Sequence, residues 1–242
     1  MSLAAAYMFG KKEKELSLDN LELYLKYSGN DNDSSTNGLN TFGTSNFGPG
    51  IYSGIANHSA LFNSSSHITT VDNQPPINFG NGTTDSDFTL SIVIKPSTNG
   101  QRRTLISKGN FRDNNNREYN LELQSDNKIQ FLIYQESTNQ FKRIITDQTF
   151  TSGNIYTIDA VYFDGDLFLY SNSVLLTTAL TDTGSYVAME LGTTRLQIAK
   201  QLAFNAFPFT GNVDEVQAWS RALSSSEISL KYNITSSGLL LF

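Results

Sequence analysis

The sequence predicts an all-β chain folded as an antiparallel two-sheet β-sandwich with one short helical turn near the C-terminus. Three observations carry that prediction. Segments whose apolar residues alternate recur from Leu21 to Ala199. Clusters of Asn, Asp, Gly and Ser punctuate them every ~8 to 12 residues, as in antiparallel sandwiches. No internal period of ~20 to 50 residues points to a propeller or solenoid. A chain of 242 residues, 38% hydrophobic and 12% aromatic, is long enough to bury a substantial core in one domain. Residues 1–20 are expected to form a lead-in arm and residues 21–242 a single domain.

The first strand is Leu21 to Tyr27, where Leu21, Leu23, Leu25 and Tyr27 alternate with Glu22, Tyr24 and Lys26. A period of two is a half-buried strand. Residues 28–50 are rich in Gly, Asn, Ser and Thr without apolar periodicity and read as loop. Unstructured connections beyond ~12 to 15 residues usually carry a function or disorder. Short strands follow at Ala60-Leu-Phe and at Ile68 to Val71, then Pro75-Pro76 and Gly80-Asn-Gly interrupt the chain. In Phe88 to Lys95 the residues Phe88, Leu90, Ile92 and Ile94 share one face, and Pro96 ends the strand. Two hairpins are expected, Tyr119 to Leu123 with Ile129 to Tyr134, and Ile155 to Phe163 with Leu167 to Tyr170, each around a polar turn. Val174 to Thr178 and Leu196 to Ala199 supply further strands.

The last strand, Val213 to Trp219, places Asp214, Val216 and Ala218 on one face and Glu215, Gln217 and Trp219 on the other if it alternates strictly. That parity aligns a carboxylate with core residues, which is costly without donors or a cation. Helix is expected from Ser224 to Tyr232: Ser224 is placed to cap, Glu227 to reach back, and Leu223 and Ile228 to form a hydrophobic staple.

The run from Phe209 to Ile228, with its F-x-G-x-V-D-E-V-x-x-W-x-R-A-L-S-x-x-E-I pattern, resembles the closing motif of laminin-G-like jelly-roll domains in the concanavalin A-like lectin and glucanase superfamily. Leu23 to Gly38 resembles that family's opening strand and loop, Asp87 to Pro96 its F-T-L-S strand, Leu105 to Gly109 the end of its next strand, and Leu167 to Ser173 its L-x-L-Y hairpin. The likeness spans roughly residues 21 to 233. Ile92 and Val93 stand where relatives often carry Trp, while Thr36 and Ser173 replace loop glycines. The resemblance implies a two-sheet jelly roll; function does not follow, because the fold hosts lectins, hydrolases, adhesion modules and scaffolds alike. It also implies a structural calcium: Asp33 and Asn37 match opening-loop positions and Asp214 the closing-motif aspartate. Side-chain oxygens and carbonyls are ligands that a hard cation prefers, although Asx turns would use the same Asp and Asn residues. The loop lacks the distal Glu of an EF-hand.

Composition excludes several classes. Cys is absent, so thiol chemistry and disulfides are unavailable. A formal charge of −6 argues against nucleic acid, whose phosphates call for excess Lys and Arg. No apolar run reaches the ~20 residues of a membrane-spanning helix, so membrane insertion is not expected. The N-terminal Ala4 to Phe9 run precedes Lys11-Lys-Glu-Lys-Glu, the reverse of signal-peptide order. Retaining glycoside hydrolysis needs paired carboxylates ~5 to 5.5 Å apart. The nearest candidates, Glu118 and Glu122, are four residues apart on one strand face and read as a solvated outer face. His58 and His67 have no partner at zinc-ligand spacing, and no Gly-x-Ser-x-Gly elbow or phosphate-binding glycine loop is present. No catalytic residue is therefore expected. Binding remains, to a carbohydrate or a protein surface, in an extracellular, cell-surface or virion setting. The alternative is a virion or surface-fibre structural protein using the same fold for assembly. Tyr134, Phe141, Tyr186 and Phe207 lie near loop ends as candidate sugar-facing aromatics, although sandwich cores also consume aromatics.

Overall fold

The structure, a computed structural model, describes residues 16–27, 29–30, 32–43, 46–52, 58–63, 68–70, 75–111, 115–201 and 207–238. In chain order the strands are β1 (Leu21–Leu25), β2 (Thr41–Gly43), β3 (Asn46–Pro49), β4 (His58–Phe62), β5 (Ile68–Thr70), β6 (Phe88–Pro96), β7 (Arg103–Asn110) and β8 (Asn115–Leu123). They continue as β9 (Lys128–Gln135), β10 (Gln140–Thr149), β11 (Tyr156–Phe163), β12 (Asp166–Ser171), β13 (Val174–Leu175), β14 (Thr178–Asp182), β15 (Leu196–Ile198) and β16 (Gly211–Trp219), followed by helix α1 (Ser225–Ser236).

These strands form two sheets. The first runs β13-β12-β11-β6-β16-β4-β3, with β1 also pairing to β16; the second runs β14-β10-β9-β8-β7-β15-β5-β2. Among the described residues every strand pairing that builds them is antiparallel, as in β6 with β11 and β16, and β9 with β8 and β10. The core lies between the sheets. On β6 the predicted face of Phe88, Leu90, Ile92 and Ile94 is fully buried and meets Leu121, Phe131 and Ile133 of the second sheet. Phe88 stacks on Phe79 with ring centroids 4.3 Å apart, and alone such pairs add ~0.5 to 1.5 kcal/mol to area burial.

The stretch 28–50 is not loop throughout. β2 pairs with β5 and β3 with β4, and these strands are held by ladder hydrogen bonds rather than by alternating apolar faces, which is why periodicity missed them. The long β10 also has too few apolar residues to announce itself. Instead of one strand from Val174 to Thr178, the chain forms β13 on the first sheet and β14 on the second.

Two predicted parities are overturned by bulges. The register of β1 against β16 slips between Leu21 and Leu23, so Leu21 joins Tyr24 on the outer face of the first sheet while Leu23 and Leu25 enter the core. On β16 the register against β6 slips between Asp214 and Gln217, with Glu215 at φ 49°. Val213 lies opposite Ile94 and Ala218 opposite Leu90, whereas Asp214 lies opposite Val93 on the outward side of β6. Asp214 therefore does not share a face with Val216 and Ala218. An inserted residue reverses alternation beyond it, and both carboxylates fall on the outer face.

That outer face is covered too. Helix α1 seats Leu223 and Ile228 on Leu21, Tyr24, Val161 and Trp219, forming a second apolar cluster. Tyr24 is consequently buried, not solvated as strict alternation implies. The capping box is present: Ser224 Oγ accepts from the Glu227 amide at 3.4 Å, and the Ser224 amide donates to Glu227 Oε2 at 2.9 Å.

Candidate functional site

The outer face of the second sheet is polar and closely knit. Register aligns one residue from each of six strands into a single row, Gln197, Ser107, Asn120, Leu132, Arg143 and Thr181. A second row places Thr104, Glu122, Gln130 and Ile145 side by side. Core residues of the same strands, such as Leu121 and Phe131, point the other way, so period-two alternation sets this face.

Glu118 and Glu122 are not solvated, contrary to the reading from spacing: both are buried. Glu122 is the hub of a network. Arg102 Nε donates to its Oε2 at 3.0 Å, Asn120 Nδ2 to the same oxygen at 2.8 Å and Gln130 Nε2 to Oε1 at 2.9 Å, with Gln124 also donating to Oε1. Glu118 pairs with the buried Lys108. Burial nevertheless pushes its carboxyl up to about 7 against the pull of Lys108.

Beside this network lies a groove of about 230 Å³ whose lining includes Phe111, Tyr134, Phe141 and Arg143. That is below the ~300 to 1,000 Å³ of enclosed small-molecule sites, so a ligand held there would extend past the groove toward β14, where Thr181 is the exposed end of the row. Tyr134 lies opposite Phe141 with nearly parallel rings 6.1 Å apart. Arg117 covers the Tyr134 ring at 3.7 Å and is fixed by Glu136, to which its Nε donates at 2.9 Å. Phe111 and Phe141 remain half-buried and face the groove. Phe207 lies nearby, 4.3 Å from the Arg102 guanidinium. Of the four aromatics singled out by sequence, Tyr186 does not join them: it packs on the core and donates to Asp85. The Arg–Glu network and Arg143 left no sequence signal, because their grouping depends on cross-strand register.

The residues expected to hold calcium have protein partners. Asp33 Oδ1 accepts from the Tyr24 and Ser35 amides at 2.9 Å, and Oδ2 from Ser35 Oγ and the Leu39 amide at 2.8 Å. Asn37 Nδ2 donates to Glu22. Asp214 is buried on the outer face and accepts from the Glu215 amide at 3.0 Å. An ion shared by the three would have to displace the four donors on Asp33. Among the described residues no group of three or more His, Cys, Asp or Glu could hold a metal. His67 lies outside the described residues.

Under α1 lies a third polar group. Lys231 Nζ sits 2.8 Å from Asp159 Oδ1 and donates to Ser91 Oγ at 2.7 Å, all of them buried. Glu215 accepts from Tyr24 and from Gln217. Burial raises Glu215 to about 7, while burial and then the neighbouring Glu215 charge raise Asp214 to about 8. The cluster is closed over by the helix and serves to seat it.

A family model described as the concanavalin A-like lectin/glucanases superfamily matches residues 62–229. The chain belongs to this superfamily. No curated protein matches. Among solved structures, the binding domain of Paraclostridial Mosquitocidal Protein 1 aligns with a TM-score of 0.69 at 20% identity, covering 90% of this chain and 52% of that one. The botulinum neurotoxin serotype G binding domain gives 0.67 at 18% identity, again over 90% and 52%. This chain thus spans about half the length of those toxin fragments. Domain 4 of AbnA, an extracellular GH43 arabinanase from Geobacillus stearothermophilus solved with arabinotriose, gives 0.64 at 15% identity over 87% of this chain and 97% of that one. At such identities the likeness shows the superfamily's jelly-roll fold and nothing finer. Among the described residues no helix is long and apolar enough to cross a membrane.

Proposed function

We propose that the chain is a non-catalytic carbohydrate-binding module whose ligand lies across the outer face of the second sheet. The observation that carries this reading is the groove where half-buried Phe111 and Phe141 adjoin a fixed array of guanidinium and amide groups. Few, well-placed polar groups beside aromatic surface orient a ligand with alternating C–H faces and hydroxyls. The structural neighbours, toxin binding domains and an arabinanase domain solved with arabinotriose, are in keeping with it. Glu122 is held by four donors and works as a strut for Arg102 and Gln130, not as a general acid. A glycan array followed by calorimetry tests the reading. Binding that weakens on Phe141→Ala supports it, while an empty array, or binding indifferent to Phe111→Ala and Phe141→Ala, refutes it.

One observation favours a second reading, a virion or surface-fibre structural protein or a module for a protein surface. Val174 and Leu175 on β13 and Leu180 on β14 are exposed on strands at the sheet edges. Uncovered apolar edges are templates for pairing with another chain. Concentration-dependent assembly abolished by Leu180→Lys would favour it.

Calcium at Asp33, Asn37 and Asp214 is a separate proposal resting on the family resemblance. Thermal melts with excess calcium and with chelator decide it: a shift lost in Asp214→Asn supports the ion, and coincident curves dismiss it.

A further inference from the structure

We propose that the glycan taken by this groove carries a carboxylate, and that Arg143 is the side chain that reads it; the inference rests on the carbohydrate reading above. Charge is the first argument. The groove is lined by Arg102, Arg117 and Arg143 against Glu122 alone, a net +2 on a chain of formal charge −6. A local reversal of sign in a concave surface concentrates anions there.

Occupancy is the second argument. Arg102 is committed to Glu122 through Nε and Nη2. Arg117 is committed to Glu136 through Nε and Nη2, and to Asn139. The Arg143 side chain has no hydrogen bond or ion pair among the described residues; its Nε is buried without an acceptor, and its guanidinium lies over the Phe141 ring at 5.4 Å. A guanidinium left unpaired beside apolar surface forfeits hydration without recovering it, and such an orphan in a native fold calls for an explanation. Neighbours in its row repeat the pattern. Asn120 Oδ1 and Gln197 Oε1 are likewise buried without partners. Arg143 is the half-buried member of the three, opposite Leu132, where a ligand reaches it from solvent.

Geometry selects the anion. The planar fork of a guanidinium matches a carboxylate with two parallel N–H···O bonds. Glu122 between Arg102 and Gln130, and Glu136 behind Arg117, keep negative charge at the groove. A densely charged polyanion would meet those carboxylates, so a saccharide with sparse carboxylates, a uronic or sialic acid within or at the end of a chain, fits better.

The test titrates the full chain with sialyllactose and with oligogalacturonate, oligoalginate and hyaluronan fragments, each beside its methyl-esterified form, and with sulfated and neutral oligosaccharides. At least one acid is expected to bind ~10- to 100-fold more tightly than its ester, the range of a charge-assisted hydrogen bond. Arg143→Gln should abolish that preference, bringing the acid to the affinity of its ester with the melting temperature unchanged, and Arg143→Lys should retain part of it. Equal binding of acid and ester, an acid preference that survives Arg143→Gln, or a preference shown only by sulfated counterparts overturns the inference while leaving the carbohydrate reading intact. Binding of neither acids, esters nor neutral oligosaccharides overturns both.

Discussion

Replacing Lys231 by Met should destabilise the protein by about 3 to 5 kcal/mol, because it strands a buried charge. The two side chains of the pair are 2% and 0% exposed, and Nζ lies 2.8 Å from Asp159 Oδ1. At an effective dielectric of ~20 the gross attraction at that distance is about 6 kcal/mol. Desolvation offsets much of it, so the intact pair contributes far less net stability than its removal costs. Lys231 is the one cation paired with Asp159 among the described residues, and neither of the Asp159 oxygens makes an aligned hydrogen bond there. Set against a total of roughly 5 to 15 kcal/mol for a natural domain, the loss is large. Urea unfolding followed by far-ultraviolet circular dichroism should show the midpoint falling by about 1 M or more, with unchanged slope. Adding Asp159→Asn to Lys231→Met removes the stranded charge and should restore at least half of the loss. A single-variant cost below ~1 kcal/mol, or a double variant no better than the single, would refute the reasoning and mean that water reaches the pair.

Three further outcomes are expected. Asp214 and Glu215 bind protons more tightly folded than unfolded, at about 8 and about 7. Stability from them is therefore full below pH ~4, where the unfolded chain is also protonated, and is lost as pH rises toward 8; Asp214→Asn should flatten that decline in melts from pH 5 to 8, and a parallel wild-type curve would count against it. Ser224→Ala, which deletes half of the capping box, should cost about 1 kcal/mol in urea denaturation, and no measurable change would show that the staple alone starts the helix. Finally, the pure protein should turn over no oligosaccharide in a reducing-sugar assay, since Glu118 is tied to Lys108 and Glu122 to its donors; turnover abolished by Glu122→Gln would defeat the non-catalytic reading.

What the sequence determined by itself was local. Period-two alternation identified Phe88 to Ile94 as a strand face of the core, polar turns placed the hairpins around residues 124–128 and 164–166, and the Ser224–Glu227 spacing marked the helix start. Each depends on neighbours within a few residues, where chain geometry alone dictates which side chains meet. Tertiary structure decided the rest. Alternation could not foresee the bulge that turns Asp214 away from Val216, because a bulge answers to the strand paired alongside. Nor could spacing reveal that α1 covers the outer face of the first sheet and buries Tyr24, or that Glu122 lies in a network rather than in water. The groove was the least legible feature: Phe111, Leu132 and Arg143 come from three separate strands or turns, and only the register of β8, β9 and β10 brings them to one surface. Sequence records each side chain's chemistry, whereas which of them is left without a partner is settled by packing across the sheet.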